Sequence, residues 1–439
     1  MLKLVLGTSG SGKTTLLYAR IRARAEAGKR SILLVPEQFT SSTEARIYRE
    51  LGDALSGMVE SYSFTSLAEH ILAIEGGAAV QTLTDAGRAV LVRRALEELQ
   101  DNVHYYYRHR RSAAFCQMAA ETIDELKSAG LSGQQLQELA RDCGTESAKL
   151  GELALIFQGY ESLLAGTGMD PADRLELAAD RLEAALARDE LPDFLREREV
   201  FIDEFDTFNA PKKRLMGAML AALPAVTVAL CEDGAPMQPG DLELFSGAKQ
   251  VAAQLRQLAR KNGAQVAAPE LLRRDLRHKD APGLAALTEL LETGSCTPPE
   301  SAPELRLFAA ASREEEARCA AAAIRRLMRQ GVRCGKIAVV CRDISLYRAA
   351  VRYEFRMAEI PLYCDEPTTP EFSAPATAVR ALLALLRGAD MTEQLTVLAK
   401  TGLCDLTEPE VCALENYAYT WSPNAAAWRA EFTLSLIHI

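Results

Sequence analysis

Gly7-Thr8-Ser9-Gly10-Ser11-Gly12-Lys13-Thr14 is the stretch that decides the fold of this chain. It has the pattern GxxxxGK followed by Thr, which is that of a P-loop and requires a strand before it and a helix after it. The apolar residues 2–6 predict that strand, and residues 13–26, closed by Gly28, predict that helix. The sequence therefore predicts an α/β fold with a parallel sheet, in which this loop binds phosphates.

The same eight residues are the candidate nucleotide-binding residues. Glycines let the backbone wrap closely around phosphate oxygens, and the N–H groups of the loop and of the helix start supply partial positive charge. We expect Lys13 to reach the β- and γ-phosphates of ATP, which makes it a candidate catalytic residue as well. We expect the hydroxyl of Thr14 to bind Mg²⁺.

A pair of carboxylates follows a second apolar stretch. Val200-Phe201-Ile202 predicts a buried strand, and Asp203-Glu204 stands where that strand ends. In P-loop enzymes such residues hold Mg²⁺ through water and orient the attacking water molecule. We therefore predict a metal-binding role for Asp203 and a catalytic role for Glu204. The alternative is an acidic loop after a buried strand.

Strand and helix patterns divide the rest of the chain. Further strands are predicted at 31–35, 199–202 and 225–230 in a first sheet, and at 305–309 and 336–341 in a second. Amphipathic helices are predicted at 85–99, 113–127, 148–164 and 171–186. The predicted divisions are a first RecA-like core (1–75 and 196–263), a helical insertion (76–195), a connecting surface passage (264–303), the start of a second, incomplete RecA-like core (304–362), a truncated helical insertion (363–432) and a non-native tail (433–439).

Composition limits the possible partners and surroundings. The chain has 439 residues and a net charge of −10, so any contact with nucleic acid must be local or shared with a partner. No apolar run approaches the ~20 residues that span a bilayer. Its ten cysteines form no CxxC pair, which favours free thiols in a reducing cytoplasm.

Two basic clusters are candidate DNA contacts. Residues 104–111 (HYYYRHRR) mix aromatic rings with positive charge, as single-strand binding sites do, and a solvated loop between helices is the alternative. Residues 273–279 contain Arg273, Arg274, Arg277, His278 and Lys279. We predict that this second cluster is a solvated face rather than a phosphate-binding groove.

Several of these segments resemble a known family. Residues 203–209 (DEFDTFN) are similar to the DEFQDTN signature of UvrD-like superfamily 1 helicases, without its glutamine. A closer resemblance, over most of residues 1 to 430, is to the B subunit of the bacterial ATP-dependent helicase/nuclease, the AddB/RexB type. The segments that carry it are the P-loop, residues 33–38 (LLVPEQ), 61–68 (SYSFTSLA) and 123–127 (IDELK), and Ile360-Pro361 followed by Asp365-Glu366.

The resemblance implies a heterodimer with the A subunit of the helicase/nuclease, a motor and nuclease, and the processing of double-strand DNA ends for recombinational repair. It implies a nuclease domain with an iron–sulfur cluster, for which residues 1–439 supply no part. It also matches Arg342 to the arginine of motif IV that contacts the γ-phosphate, which makes Arg342 a candidate catalytic residue.

Two departures from the family pattern bear on ATP turnover. No glutamine stands before the first strand to recognise adenine, whereas Asp203-Glu204 retains an acidic pair that proteins of this type often replace with Asp-Gly. The first departure suggests a degraded motor and the second an intact one. A nucleotide-binding scaffold without turnover and a small-molecule P-loop kinase are therefore kept as alternatives. The kinase would need a compact single core with an acceptor pocket near Asp203.

Overall fold

The computed structural model describes residues 1–236, 244–364 and 370–430. By its internal contacts the chain divides into two units, Met1–Arg306 and Leu307–Ile439. The Asp365-Glu366 pair and the predicted tail at 433–439 lie outside the described residues. In the part of the chain that is described, no helix is long and apolar enough to cross a membrane.

The first unit is built on a six-stranded sheet. In chain order its strands are β1 (Leu2–Gly7), β2 (Ser31–Leu34), β3 (Val59–Tyr62), β4 (Glu199–Ile202), β5 (Ala225–Cys231) and β6 (Glu270–Leu272). Across the sheet the order is β3-β2-β4-β5-β1-β6, and all neighbouring strands are parallel. The four strands predicted for the first core are confirmed, and β3 and β6 are additional.

The described residues of the first unit also form twelve α-helices. In chain order they are α1 (Lys13–Glu26), α2 (Thr40–Leu51), α3 (Asp53–Ser56), α4 (Phe64–Glu75), α5 (Asp85–Glu98), α6 (Ala113–Ser128), α7 (Gly133–Arg141), α8 (Ser147–Leu164), α9 (Pro171–Ala187), α10 (Ala210–Ala222), α11 (Ser246–Lys261) and α12 (Pro282–Thr293). The predicted helix after the P-loop is confirmed, and the four predicted between residues 76 and 195 are confirmed to within one residue at each end.

Side chains of the strands alternate between two hydrophobic clusters. Leu4 and Leu6 of β1 belong to the cluster that contains buried residues of α4, α9 and α10. Val5, between them, belongs to the cluster on the other face, with Leu17 and Ile21 of α1. A parallel sheet buried on both faces requires such continuous apolar strands. The P-loop therefore begins at the end of a strand that is fixed on both sides.

The helical insertion has a hydrophobic cluster of its own, with Phe157 and Tyr160 of α8 at 0% and 1% exposure. Its last helix, α9, packs against the sheet instead. Leu175 and Leu182 of α9 pack in the cluster beneath the sheet. The chain therefore returns from the insertion to β4 through a helix that already belongs to the layer on the sheet.

Residues 264–303, predicted as a connecting surface passage, contain the strand β6 and the helix α12. Leu2 and Ala267 share a backbone hydrogen bond, in which the Ala267 amide donates to the Leu2 carbonyl at 2.9 Å. β6 then pairs with β1, where Leu272 lies opposite Gly7. Helix α12 follows within the same unit. This segment therefore forms the edge of the sheet next to the P-loop.

The second unit is helical in its described part. Its helices are α13 (Arg313–Arg329), α14 (Ile344–Met357), α15 (Ala374–Leu386), α16 (Met391–Ala399) and α17 (Glu408–Trp421). Ala321 and Ile324 of α13 pack with Phe355 of α14.

The strands predicted at 305–309 and 336–341 are wrong for this structure. Leu307 and Val340 are 98% and 90% exposed, and no strand is formed among the described residues of this unit. An apolar run predicts a strand from local pattern, but a strand needs a neighbour that accepts and donates its backbone hydrogen bonds. The second RecA-like core remains a prediction.

Candidate nucleotide-binding site

The P-loop backbone has the conformation that its glycines allow. Gly10 and Gly12 have φ angles of 83° and 91°, a region that L side chains rarely adopt. Gly12 is also the N-cap of α1, and no side chain caps this helix start. The N–H groups of the first turn therefore remain able to bind an anion.

Lys13 folds back onto the loop that precedes it. Its Nζ donates hydrogen bonds to the carbonyls of Gly7 at 2.7 Å and Thr8 at 2.8 Å. Burial lowers the pKa of Lys13, although the nearby Cys231 and Asp203 oppose the shift. An anion beside this ammonium group would offset the desolvation that lowers its pKa.

Thr14 and Asp203 meet where α1 begins and β4 ends. Asp203 is 5% exposed and lies beside the side chain of Thr14, whose hydroxyl favours the ionised carboxylate. Its amide donates to the Leu34 carbonyl of β2 at 3.1 Å, which extends the sheet ladder by one residue and fixes the carboxylate. Burial raises the pKa of Asp203, and the bonds from Thr14 and from the Glu204 amide oppose this. A hydroxyl and a carboxylate in contact are suitable oxygen ligands for Mg²⁺, directly or through water.

Glu204 stands in a strained backbone conformation. Its φ angle is 65°, in the left-handed region that favours glycine. Burial raises the pKa of Glu204, the charge of Asp203 raises it further, and Arg46 opposes both. Strain of this kind is often found at functional sites.

Arg46 of α2 is a site residue that was not predicted. Its guanidinium lies 4.8 Å from the centre of the Tyr18 ring and lowers the pKa of both Asp203 and Glu204. It lines the same cleft as the two carboxylates. Arg46 follows no motif, so only the packing of α2 beside α1 could reveal it.

Arg277 lies beside the P-loop, on the exposed segment 273–279. Its Nη1 donates to the Ser9 hydroxyl at 3.1 Å, and the Leu276 amide donates to the Gly10 carbonyl at 3.0 Å. The exposed basic segment predicted as a solvated face therefore contacts the P-loop through Leu276 and Arg277, and whether it binds phosphate stays untested. The segment reaches the loop because β6 pairs with β1, a contact that no local pattern in the sequence indicates.

Together these residues line a cleft of about 450 Å³ that contains the P-loop, Asp203, Glu204, Arg46 and Arg277. The residues present suit a nucleotide with Mg²⁺. The uncapped N–H groups at the start of α1 and the Lys13 ammonium supply the positive groups that phosphates need, and Thr14 with Asp203 supplies oxygen ligands for Mg²⁺.

Arg342 lies in the second unit, in the segment that leads into α14. The first unit brings Lys13, Thr14, Asp203 and Glu204 to one cleft without it. The predicted contact between Arg342 and the γ-phosphate therefore stays a prediction.

The aromatic and basic segment at 104–111 is anchored within the insertion. The Glu152 carboxylate accepts hydrogen bonds from the amides of His104, Tyr105 and Tyr106, at 2.9 to 3.1 Å. Tyr106 stacks on Phe115, with ring centres 5.4 Å apart. These contacts fix the segment as a loop between helices, and its binding of single-stranded DNA stays a prediction.

Comparison with known proteins identifies the family. The family model described as "ADDB, N-terminal" matches residues 4–288. The B subunit of the ATP-dependent helicase/deoxyribonuclease of Desulforudis audaxviator is 32% identical, over 97% of this chain and 37% of its own length. The proteins of the same name from Moorella thermoacetica and Symbiobacterium thermophilum are 31% and 30% identical, each over 98% of this chain and 38% of their own length.

The chain thus spans a little more than a third of the length of these curated relatives. The similarity is not confined to the P-loop, since it extends along nearly the whole chain. The match to the N-terminal family model covers the sheet, the helical insertion and the segment that reaches the P-loop. This protein therefore belongs to the family of the B subunits of ATP-dependent helicase/deoxyribonucleases, as its resemblance to the AddB/RexB type indicated.

Proposed function

We propose that this protein is the ATP-binding subunit of a bacterial helicase/nuclease complex that processes double-strand DNA ends for recombinational repair in the cytoplasm. The observation that carries the nucleotide-binding part is the contact between Thr14 and Asp203 beside a P-loop with an uncapped helix start. The role in a complex is supported by its relatives, which are named as one subunit of an ATP-dependent helicase/deoxyribonuclease.

Each site residue has a role that its position allows. Lys13 would exchange the carbonyls of Gly7 and Thr8 for oxygens of the β- and γ-phosphates. Thr14 and Asp203 would hold Mg²⁺, which neutralises charge on the phosphates. Glu204, beside them in the cleft, would orient the water that attacks the γ-phosphate.

Turnover needs more than this first unit. We propose that Arg342, in a second RecA-like core, supplies the further positive charge that stabilises the transferring phosphoryl group. We also propose that the partner in a heterodimer is the A subunit, a motor and nuclease, with DNA ends and single strands as the substrate. The iron–sulfur nuclease domain implied by the family would lie in sequence beyond these 439 residues.

A nucleotide-binding scaffold without turnover is the second candidate. It is favoured by the φ angle of 65° at Glu204, since this position suits the glycine that proteins of this type often carry and does not itself require a carboxylate. Family membership argues against the small-molecule kinase alternative.

The test measures ATP hydrolysis by the complete complex with the motor of its partner inactivated. The variants of this protein are wild type, Glu204→Gln, Lys13→Ala and, as a control, Glu44→Gln, which removes an exposed carboxylate of α2. Turnover that depends on single-stranded DNA and is lost in Glu204→Gln identifies a working motor. Binding of ATP that requires Lys13, without turnover, identifies a scaffold. Failure to bind ATP contradicts the proposal.

A further inference from the structure

The segment 318–356 of the second unit, which contains most of α13 and all of α14, is strongly basic. It has ten lysine and arginine residues, nine of them arginine, and only two acidic residues. The whole chain, in contrast, has a net charge of −10. Such a local excess of positive charge attracts polyanions that the rest of the chain repels.

The two acidic residues of this segment already have partners. Glu354 is buried and pairs with Arg318, whose Nη2 lies 3.1 Å from its Oε1. Asp343 caps α14, since its Oδ1 accepts hydrogen bonds from the amide of Ser345 at 2.9 Å and from the hydroxyl of the same residue at 2.6 Å. These two carboxylates therefore leave most of the positive charge of the segment uncompensated.

Three of the arginines lie on one face of α14. Arg348, Arg352 and Arg356 follow each other at intervals of four residues, which places them on successive turns about 6 Å apart along the helix axis. All three are exposed, whereas Val351 and Phe355 of the same helix are buried against α13. In the described part of the chain, neither Arg352 nor Arg356 forms an ion pair. The helix therefore presents a row of positive charge to solvent.

An exposed aromatic ring adjoins this row. Tyr353 follows Arg352 in α14 and is 60% exposed. Arginine suits phosphate groups, because its planar guanidinium can donate two parallel hydrogen bonds to their oxygens. Exposed aromatic rings are the groups on which unpaired bases stack. A row of arginines beside such a ring thus matches a ligand that has both phosphates and accessible bases.

We propose that the exposed face of α14 binds single-stranded nucleic acid, with Arg352 and Arg356 at phosphates of its backbone and the Tyr353 ring stacked on a base. This inference rests on the proposed role in DNA processing and gives that role a contact surface in the second unit. A chain with a net charge of −10 needs a local basic surface for such a contact. An acidic protein would use the arginines but has no bases for the ring.

The test is equilibrium binding of a labelled oligothymidylate of about 16 nucleotides to the full chain, measured by fluorescence anisotropy over a range of salt concentrations. We expect the double variant with Arg352→Ala and Arg356→Ala to bind at least about tenfold more weakly at low salt. The slope of log affinity against log salt should become shallower by about 1.4, because each lost phosphate contact contributes about 0.7.

The tyrosine gives an independent readout. Tyr353→Ala should weaken binding about tenfold without changing the salt slope, because the variant removes a stacking ring and no charge. Tyr353→Phe keeps the ring and should bind as wild type does. Loss of binding in Tyr353→Phe as well would show that the ring does not act by stacking and would contradict this part of the inference.

A matched control removes the same charge elsewhere. The double variant with Arg22→Ala and Arg30→Ala loses two exposed arginines of the first unit, and its affinity should change by less than about threefold, since salt screens charges outside the binding surface. Thermal unfolding identifies any variant that fails to fold, and the single variants Arg352→Gln and Arg356→Gln then replace the double one.

The possible failures are distinguishable. Equal binding by the α14 double variant and the control would overturn the inference while ATP binding and the proposed function stand. If polyglutamate binds through the same arginines and Tyr353→Ala binds the oligonucleotide as wild type does, the occupant is an acidic protein and the inference is wrong. If wild type does not bind the oligonucleotide, the surface is no nucleic-acid site. ATP binding at the P-loop, measured separately, then decides the proposed function.

Discussion

The buried carboxylate of Asp203, which we propose as a ligand of Mg²⁺, should lower the stability of the metal-free protein. Asp203 is 5% exposed, and burial raises the pKa of its carboxyl. The folded state therefore binds a proton at Asp203 more readily than the unfolded state does. The stability that this group contributes is present at low pH and is lost as the pH rises through its raised pKa. At neutral pH the ionised carboxylate disfavours the folded state until a cation neutralises it.

We accordingly expect Asp203→Asn to stabilise the metal-free protein at neutral pH. The gain should be about 0.5–2 kcal/mol, the usual range for one stabilising substitution. Denaturant unfolding with and without Mg²⁺ measures it. The advantage of the variant should shrink as the pH is lowered toward the range in which wild-type Asp203 is protonated, and Mg²⁺ should stabilise wild type more than the variant. Equal stability of the two proteins at every pH would contradict this account.

Glu204 permits a comparison of two variants that both remove its carboxylate. Its φ angle of 65° costs a non-glycine residue about 1–2 kcal/mol, and glycine avoids that cost but loses more chain entropy on folding. We expect Glu204→Gly to be more stable than Glu204→Gln by about 0.5–1 kcal/mol. Chemical denaturation of the two variants is the measurement. A more stable Glu204→Gln would show that the left-handed backbone is not strained here.

The residues of the candidate nucleotide site that belong to local motifs could be predicted from the sequence. Lys13 and Thr14 follow from the P-loop pattern, and Asp203 from its position after an apolar strand. The position of Arg277 beside Ser9 could not be predicted in this way, because it depends on the pairing of β6 with β1, which lies far away in the sequence.

At the scale of elements, three helices of the insertion are joined by one buried polar network. Lys127 of α6 contacts Asp170 at 2.8 Å and Asp173 at 2.9 Å, at the start of α9. The Tyr160 hydroxyl of α8 donates to Asp170 Oδ1 at 2.6 Å. Asp170, which also caps α9, is 1% exposed. Lys127 and Tyr160 are therefore the side chains that stabilise this buried carboxylate by direct contact.

Removal of the lysine should be costly because it leaves the buried Asp170 without the cation that contacts it. We expect Lys127→Met to lower the free energy of unfolding by about 3–5 kcal/mol, and Tyr160→Phe by about 1–3 kcal/mol. Arg93→Met is the control, since Arg93 and Glu97 form an exposed pair that should be worth less than about 0.5 kcal/mol. Urea unfolding of the three variants measures these differences. A loss in Lys127→Met no larger than that in Arg93→Met would argue against the network.

Helices and strands were predicted accurately where the interactions that form them lie within the same segment of sequence. The amphipathic pattern and caps that make α5, α6, α8 and α9 lie within each helix, and their bounds were predicted closely. The apolar runs at 305–309 and 336–341 needed neighbouring strands, and the described part of the second unit provides none. β6 was missed for the converse reason, since its neighbour β1 lies at the other end of the unit.

At the scale of the whole molecule, the candidate nucleotide site belongs to a single unit. Among the described residues, three of the four hydrophobic clusters and every residue of the P-loop cleft lie within Met1–Arg306. A unit that contains its own core is expected to fold by itself.

We therefore expect a protein of residues 1–306 to unfold cooperatively and to bind ATP within about threefold of the affinity of the full chain. Circular dichroism during thermal unfolding and equilibrium nucleotide binding are the measurements. Lys13→Ala in the same fragment provides the control for specific binding. A fragment that aggregates, or that folds without binding ATP, would show that residues after 306 are needed for the site.

The order of the strands has a consequence for synthesis on the ribosome. β1 and the P-loop are made well before β5 and β6, so β1 acquires its neighbours only when those two strands emerge, after residue 225 and then after residue 270. At typical bacterial rates this delay is roughly ten to fifty seconds. During that time the insertion can fold, because its hydrophobic cluster is formed by its own helices. The apolar strand β1 and the P-loop after it stay exposed to solvent. The nascent chain thus exposes an apolar strand that is buried in the folded protein, and this strand needs protection from aggregation until its partners are made.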